Sequence, residues 1–264
     1  MIATAALVLR PRDPDRSPVR SNVGCYVAEP RNTKSIPAVR LLASDVASNG
    51  IIAHGHAGGG LAFGALPLID GTGFGVATSQ DCAQIPLHPA EERVALGMLP
   101  GRRREFWMGR SAARRALSRL GRGDGPILTD GRRPVFPSGV TGSLSHSAGV
   151  AVAIVAPSAR ARGLGIDLEL RRLPADASRL VLGPEDEAGV AAGRYSCAEA
   201  FSAKEAAFKA LEPLLDCGAA TLRQMRIERI ESGLKIWLVR WPHLHAVVSI
   251  RHLPCGILAW TAIA

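Results

Sequence analysis

Gly165-Ile166-Asp167-Leu168-Glu169-Leu170 alternates strictly between apolar and acidic side chains after its opening glycine. Ile166, Leu168 and Leu170 fall to one side and Asp167 and Glu169 to the other, the period-two signature of a half-buried strand. The two carboxylates then share a face, roughly 6.5–7 Å apart along the chain. Like charges placed that way repel. The face therefore requires a partner, either basic side chains or a hard cation held by oxygens, such as Mg2+.

Further along, Phe201-Ser202-Ala203-Lys204-Glu205-Ala206-Ala207-Phe208-Lys209-Ala210-Leu211 reads as a strong helix. Phe201, Glu205 and Phe208 share a stripe, Lys204 flanks it, and Lys209 lies one turn from Glu205. A carboxylate on an inward-looking aromatic stripe costs several kcal/mol to leave unpaired, so Glu205 is expected to meet a cation. The competing reading is a surface Glu205–Lys209 pair worth only ~0.3 kcal/mol. The chain has four lysines, Lys34, Lys204, Lys209 and Lys235, against many arginines. Two of the four fall in this one helix, which suggests positions that select a compact ammonium over a guanidinium.

At 264 residues, with 47% hydrophobic and 21% charged residues, the chain has material for a sizeable core. Its net charge of +9 points to an anionic partner: nucleic acid, a phosphorylated cofactor or an acidic protein. Five scattered cysteines without a Cys-x-x-Cys pair argue against a disulfide framework or structural zinc, and fit a reducing cytosol. The apolar start Met1–Leu9 lacks a basic n-region and is a poor signal peptide. No apolar run reaches the ~18 residues of a membrane span. A soluble, cytoplasmic protein is expected.

Residues 1–65 read as a poorly ordered N-terminal extension, Pro/Arg-rich from Arg10 to Arg20 and linker-like through His54-Gly55-His56-Ala57-Gly58-Gly59-Gly60. His54 and His56 lack a third ligand and are not expected to hold a metal. Order is expected to begin near Leu66–Thr78 with a strand around Phe74 and Val76. A helix starts after His88, with Pro89 in its first turn and Glu91 and Glu92 against the dipole. A second carries Phe106, Ala113, Leu117 and Leu120 on one stripe and closes at Gly121. Eight arginines lie between Arg102 and Arg122. Most form a solvated basic face, whereas Arg110, beside Gly109, could reach a phosphate.

Residues 125–142 read as loop, with Arg132 and Arg133 prominent. Gly142-Ser143-Leu144-Ser145-His146-Ser147 opens a buried strand over 150–156. A hydrolase triad is disfavoured there: no Gly-x-Ser-x-Gly elbow is present, and neighbouring Ser and His on a strand face opposite ways. Small hydroxyls and an imidazole beside basic loops suit phosphate contacts better. A polar helical stretch over 174–192 and the helix over 196–211 follow. Short strands over 224–230, 234–240, 244–250 and 256–263 close the chain, with Trp237, Trp241 and Trp260 as packing residues.

In this order, the blocks Arg102-Arg103-Arg104-Glu105-Phe106 with Gly109-Arg110-Ser111-Ala112-Ala113-Arg114, then Arg133-Pro134-Val135-Phe136-Pro137, Gly142-Ser143-Leu144-Ser145-His146, Gly165-Ile166-Asp167-Leu168-Glu169 and Phe201-Ser202-Ala203-Lys204-Glu205 with Phe208-Lys209-Ala210, resemble the 4′-phosphopantetheinyl transferases, in the branch of the enterobactin synthetase component D enzymes. The likeness runs from about residue 70 to the end. It implies an α+β fold of two similar halves about a pseudo-twofold axis: residues 66–160 as the N-terminal half and 161–264 as the C-terminal half with the metal site. It also implies a reaction, transfer of the phosphopantetheine arm of coenzyme A to a serine of an acyl or peptidyl carrier protein of siderophore or polyketide biosynthesis, with release of adenosine 3′,5′-bisphosphate.

By the same likeness Asp167, Glu169 and Glu205 surround Mg2+, and Arg102, Arg110, Arg133, Ser145, His146 and Lys204 contact the coenzyme. Glu205 is the candidate base, metal ligand or both, and Lys209 steadies the departing or transferred phosphate. Such chemistry needs charge neutralisation and alignment more than covalent help. Carrier proteins are typically acidic, which gives the basic charge a role in steering encounter. A monomer with neither membrane nor nucleic acid among its partners is expected. The rival readings are a basic nucleic-acid-binding protein, which leaves Asp167, Glu169 and Glu205 without a role, and a catalytically silent binder of coenzyme A or carrier protein.

Overall fold

The computed structural model describes residues 39–41, 52–55, 60–63, 66–79, 81, 86–123, 125–173, 177–215 and 221–264, all within one compact unit, Pro37–Ala264. Every strand pairing among them is antiparallel. The chain order is β1 (Val39–Leu41), β2 (Ile52–Gly55), β3 (Gly60–Ala62), β4 (Gly73–Thr78), α1 (Pro89–Leu96), α2 (Pro100–Ser118), β5 (Leu128–Asp130), β6 (Arg133–Val135), β7 (Val140–Ser147), β8 (Val150–Pro157) and β9 (Gly163–Glu169). It continues with α3 (Ala177–Val181), α4 (Pro184–Ala191), α5 (Cys197–Leu211), β10 (Met225–Ile230), β11 (Gly233–Leu238), β12 (Trp241–Leu253) and β13 (Gly256–Ile263).

Two sheets carry the fold, β4-β8-β7 and β10-β11-β12-β13-β9. Strand β8 is apolar on both faces because it is covered on both. Val150, Val152, Ile154 and Ala156 enter a central core with Ile166, Leu168, Leu258 and Trp260, while Ala151, Ala153 and Val155 pack with Ala112, Ala113 and Ala116 of α2. The alternation in β9 resolves likewise: Leu164, Ile166 and Leu168 join the central core. Asp167 is thereby turned to the opposite face, where α5 lies.

Both long helices sit unusually close to their sheets, and glycine permits it. A Cβ on Gly73 or Gly75 of β4 would overlap the carbonyl oxygens of Ala116 and Ala112 in α2. A Cβ on Gly163 or Gly165 of β9 would overlap those of Ala210 and Ala206 in α5. Each pairing sets two glycines, two residues apart on a strand, against two alanines four apart on a helix, so the same packing device occurs once in each sheet.

The helix ends follow their sequence signals. Ser196 and Glu199 form a capping box at the start of α5, with Glu199 N–H donating to Ser196 Oγ at 3.1 Å and Ser196 N–H to Glu199 Oε2 at 2.7 Å. Gly121, at φ 67°, supplies the left-handed residue after α2.

Three expectations change. Residues 125–142 are not simply loop: β5 and β6 form a hairpin there, and β7 begins at Val140. The expected extension is not structureless where it is described. Strands β1, β2 (which contains His54) and β3 form a sheet, and fully buried Phe63 stacks edge-on against Phe74 in the central core. A boundary at residue 65 therefore falls inside the packed unit; the Arg10–Arg20 run and His56 lie outside the described residues. The helical stretch over 174–192 is two short helices, α3 and α4, separated at Leu182 and Gly183.

Candidate functional site

The carboxylates of β9 and the Lys–Glu face of α5 meet where the glycines of β9 let the helix approach. Lys209 Nζ donates to Asp167 Oδ1 at 2.8 Å and to the Ile166 carbonyl at 3.1 Å, and lies 3.9 Å from Glu205 Oε2. Asp167 and Glu205 are 5% and 6% exposed, so two buried acids share one ammonium. The imbalance appears in their protonation. Burial, helped by the charge of Asp167 and opposed by Lys209, pushes the Glu205 carboxyl up to about 7. Burial pulls Lys209 down, but Asp167, Glu205 and Glu169 together hold it above the usual lysine value. Asp167 Oδ2 is buried without a hydrogen-bond partner.

Strand β7 contributes a row of serines. Ser143 Oγ accepts from Ile166 N–H at 3.1 Å, Ser145 Oγ donates to Asp167 Oδ1 at 2.9 Å, and Ser147 Oγ accepts from Leu170 N–H at 3.0 Å while donating to Glu169 Oε1 at 2.8 Å. Glu169 Oε1 also accepts from Arg171 N–H at 2.8 Å. His146, between these serines, faces α2. Its Nε2 lies 3.2 Å from Arg102 Nη1 and 3.9 Å from Glu105 Oε2, and Arg102 Nη1 is 3.4 Å from the same oxygen. Burial holds His146 below its ordinary value; Glu105 opposes this, and Arg102 and Lys209 reinforce it. The His146–Arg102 pair is thus electrostatically continuous with the acid cluster, and Arg102 remains half exposed.

Asp167, Glu169, Glu205, Lys209, His146 and Arg102 are therefore brought together. Arg133, half exposed on β6, stands 3.7 Å from Glu212 just beyond α5. Three residues expected to contact the coenzyme are engaged by other protein groups. Lys204 is fully buried on another side of α5, where Nζ donates to Asp186 Oδ2 at 2.6 Å and to the Val181 carbonyl at 2.7 Å. Its ammonium ties α5 to α3 and α4. Arg110 is 3% exposed; Nε donates to the Ile127 carbonyl at 2.7 Å, Nη2 to the Leu128 carbonyl at 3.0 Å, and the guanidinium stacks over Phe106. Burial pushes it down to about 10. It braces β5 against α2. Ser145 Oγ is engaged by Asp167.

Sequence reasoning passed over Ser143, Ser147, Glu105 and Asp186 as individual contributors. A serine at every second position of β7 was the available signal for the first two. Among the described residues, no three His, Cys, Asp or Glu side chains stand in a ligating cluster as they are. The donor set nevertheless suits a hard divalent ion, since Asp167 Oδ2 is bare and buried and Glu205 lacks a cation of its own.

Residues 90–156 match the family described as the 4′-phosphopantetheinyl transferase N-terminal domain. The chain is 42% identical over 137 residues to the 4′-phosphopantetheinyl transferase Svp of Streptomyces mobaraensis, covering 48% of this chain and 55% of that one. It is 36% identical over 132 residues to the 4′-phosphopantetheinyl transferase PptT of Mycobacterium tuberculosis, covering 48% and 58%. Against enterobactin synthase component D of Escherichia coli K12 it is 36% identical over 130 residues, covering 44% and 58%. The matched region spans little more than half the length of these relatives. Among the described residues no helix is long and apolar enough to cross a membrane. The family match covers α1 to β8, and the relatives are similar to this chain over about half of its length.

Proposed function

We propose that the chain transfers the 4′-phosphopantetheine arm of coenzyme A to a serine hydroxyl of an apo acyl or peptidyl carrier protein. The serine oxygen forms a bond to the β-phosphorus of the pantetheine arm, the bridging P–O bond breaks, and adenosine 3′,5′-bisphosphate leaves. The observation that carries the reading is the buried Asp167–Glu205 pair around Lys209, with one Asp167 oxygen unpartnered, beside the exposed Arg102–His146 pair. Acids and bases so juxtaposed suit a polyphosphate bridged by a cation better than either duplex nucleic acid or a lone anion.

In this reading Asp167, Glu169 and Glu205 hold Mg2+, which supplies charge neutralisation at the diphosphate. Arg102 and His146 bind phosphate oxygens, displacing Glu105, and Arg133 lies near enough to α5 to add a further charge. Lys209, already at the Asp167 carboxylate, carries its ammonium to the phosphate under attack. Glu205, whose burial raises its proton affinity, accepts the serine proton. The repeated glycine–alanine packing of α2 on β4 and α5 on β9 supports two similar halves related by a pseudo-twofold axis.

The test is direct. Purified protein, coenzyme A and Mg2+ are incubated with a panel of apo carrier domains, and the phosphopantetheine mass increment is read by mass spectrometry. Asp167→Ala and Glu205→Ala should abolish the increment while the far-ultraviolet circular dichroism stays unchanged. Transfer near the wild-type rate by either variant would discredit the site, and salt-sensitive binding to arbitrary duplex DNA without transfer would favour the nucleic-acid reading.

A further inference from the structure

Strands β7 and β9 are each the edge of their own sheet, yet they run alongside one another joined by serine side chains rather than by a backbone ladder. The three serines are chemically alike and do different work. Ser143 accepts from a backbone amide of β9, as Ser147 does. Ser145 instead donates to a side-chain carboxylate, Asp167 Oδ1. Lys209 donates to that same oxygen. One oxygen of Asp167 thus carries two donors while the other, which is buried, carries none. Asp186 shows the same pattern, with Gly183 N–H and Lys204 both on Oδ2 and none on Oδ1, but it has an ammonium to itself, whereas Asp167 shares Lys209 with the second buried acid Glu205.

Resting on the proposed function, we infer that Ser145 is a positioning residue for the divalent cation: by occupying Asp167 Oδ1 it fixes the carboxylate plane and leaves Oδ2 as the ligand. Ser147 acts on Glu169 in parallel, holding Oε1 jointly with the Arg171 amide. The serine row is therefore both the seam between the sheets and the device that aims the acids. Ser143, which accepts from the Ile166 amide, belongs to the seam alone.

Direct Mn2+ titration of the full chain with coenzyme A present, followed by the loss of the free-ion paramagnetic resonance signal, tests this without recourse to turnover. Ser145→Ala and Ser145→Cys should each weaken Mn2+ binding about 10-fold or more, the range seen when a group orienting a metal ligand is removed. Ser145→Thr, which keeps the hydroxyl, should restore it. Ser143→Ala should lower the thermal midpoint of the metal-free protein as Ser145→Ala does, yet bind Mn2+ like wild type. Unchanged Mn2+ binding by Ser145→Ala, or equal weakening by Ser143→Ala, would overturn the inference while carrier modification by the wild type still upheld the proposed function. A wild type that takes up no Mn2+ would overturn both.

Discussion

Replacing Glu205 by glutamine should stabilise the cation-free protein at alkaline pH while abolishing transfer. Folding moves the Glu205 carboxyl from 4.5 to about 7, chiefly through burial. A raised carboxyl binds its proton more tightly in the folded state, so stability is greatest below 4.5, falls as pH rises through 7, and levels off above. At 1.36 kcal/mol per unit, the shift corresponds to about 3 kcal/mol lost once both states are ionised. Glutamine keeps the shape of the protonated acid and does not titrate. The assay is urea unfolding at several pH values from 4.5 to 8.5 in a chelating buffer. The variant and the wild type should be nearly equal in stability at pH 4.5, with the variant ahead by about 2–3 kcal/mol at pH 8.5. Adding Mg2+ at pH 8.5 should narrow the gap by stabilising only the wild type, because the cation favours the ionised carboxylate. A gap independent of pH, or a wild type no less stable at pH 8.5 than at pH 4.5 relative to the variant, would refute the reasoning.

Three further outcomes follow from the geometry. Lys204→Met leaves Asp186 buried without its ammonium and should cost ~3–5 kcal/mol by urea unfolding; adding Asp186→Leu should recover part of that, less the hydrogen bond Asp186 accepts from Gly183 N–H. Gly165→Ala drives a Cβ against the Ala206 carbonyl and should cost ~1–3 kcal/mol. By lifting α5 from Asp167 it should also slow transfer well beyond Gly73→Ala, whose collision is with α2, as measured by initial rates of carrier modification. Arg102→Ala should raise the KM for coenzyme A several-fold with little change in kcat, since in the proposed reaction this half-exposed guanidinium binds phosphate and does not touch the transferred proton.

The parts of the fold that were legible are those in which a periodic pattern alone decides which way a residue faces. The alternation of β9 and the two-faced apolarity of β8 required no knowledge of neighbours. The β5–β6 hairpin was hidden because its strands are three residues each and one of them contains Pro134, a residue tolerated only at a sheet edge. Strands β1–β3 were hidden by the glycines and prolines around them. The serine seam was out of reach for a different reason. Whether a serine on β7 meets a phosphate or a carboxylate depends on two sheet edges being brought side by side, which no local pattern encodes.

The two lysines of α5 are the instructive case, because the sequence did hold the answer there. Successive helical residues are turned by about 100°, so Lys209 lies only about 40° from Glu205 around the axis, whereas Lys204 and Lys209, five residues apart, diverge by about 140°. No single anion near Glu205 could bind both. With Glu205 and Lys209 on the face toward β9, Lys204 had to point elsewhere in a helix that is covered on most sides. An ammonium carried into the interior requires a buried acid. Asp186, in the first turn of α4, is that acid, and the 2.6 Å pair it forms with Lys204 sets the rotation of α5 that presents Glu205 and Lys209 to Asp167. The lysine expected to bind substrate thus contributes by fixing the helix that carries Lys209, the lysine proposed to do so.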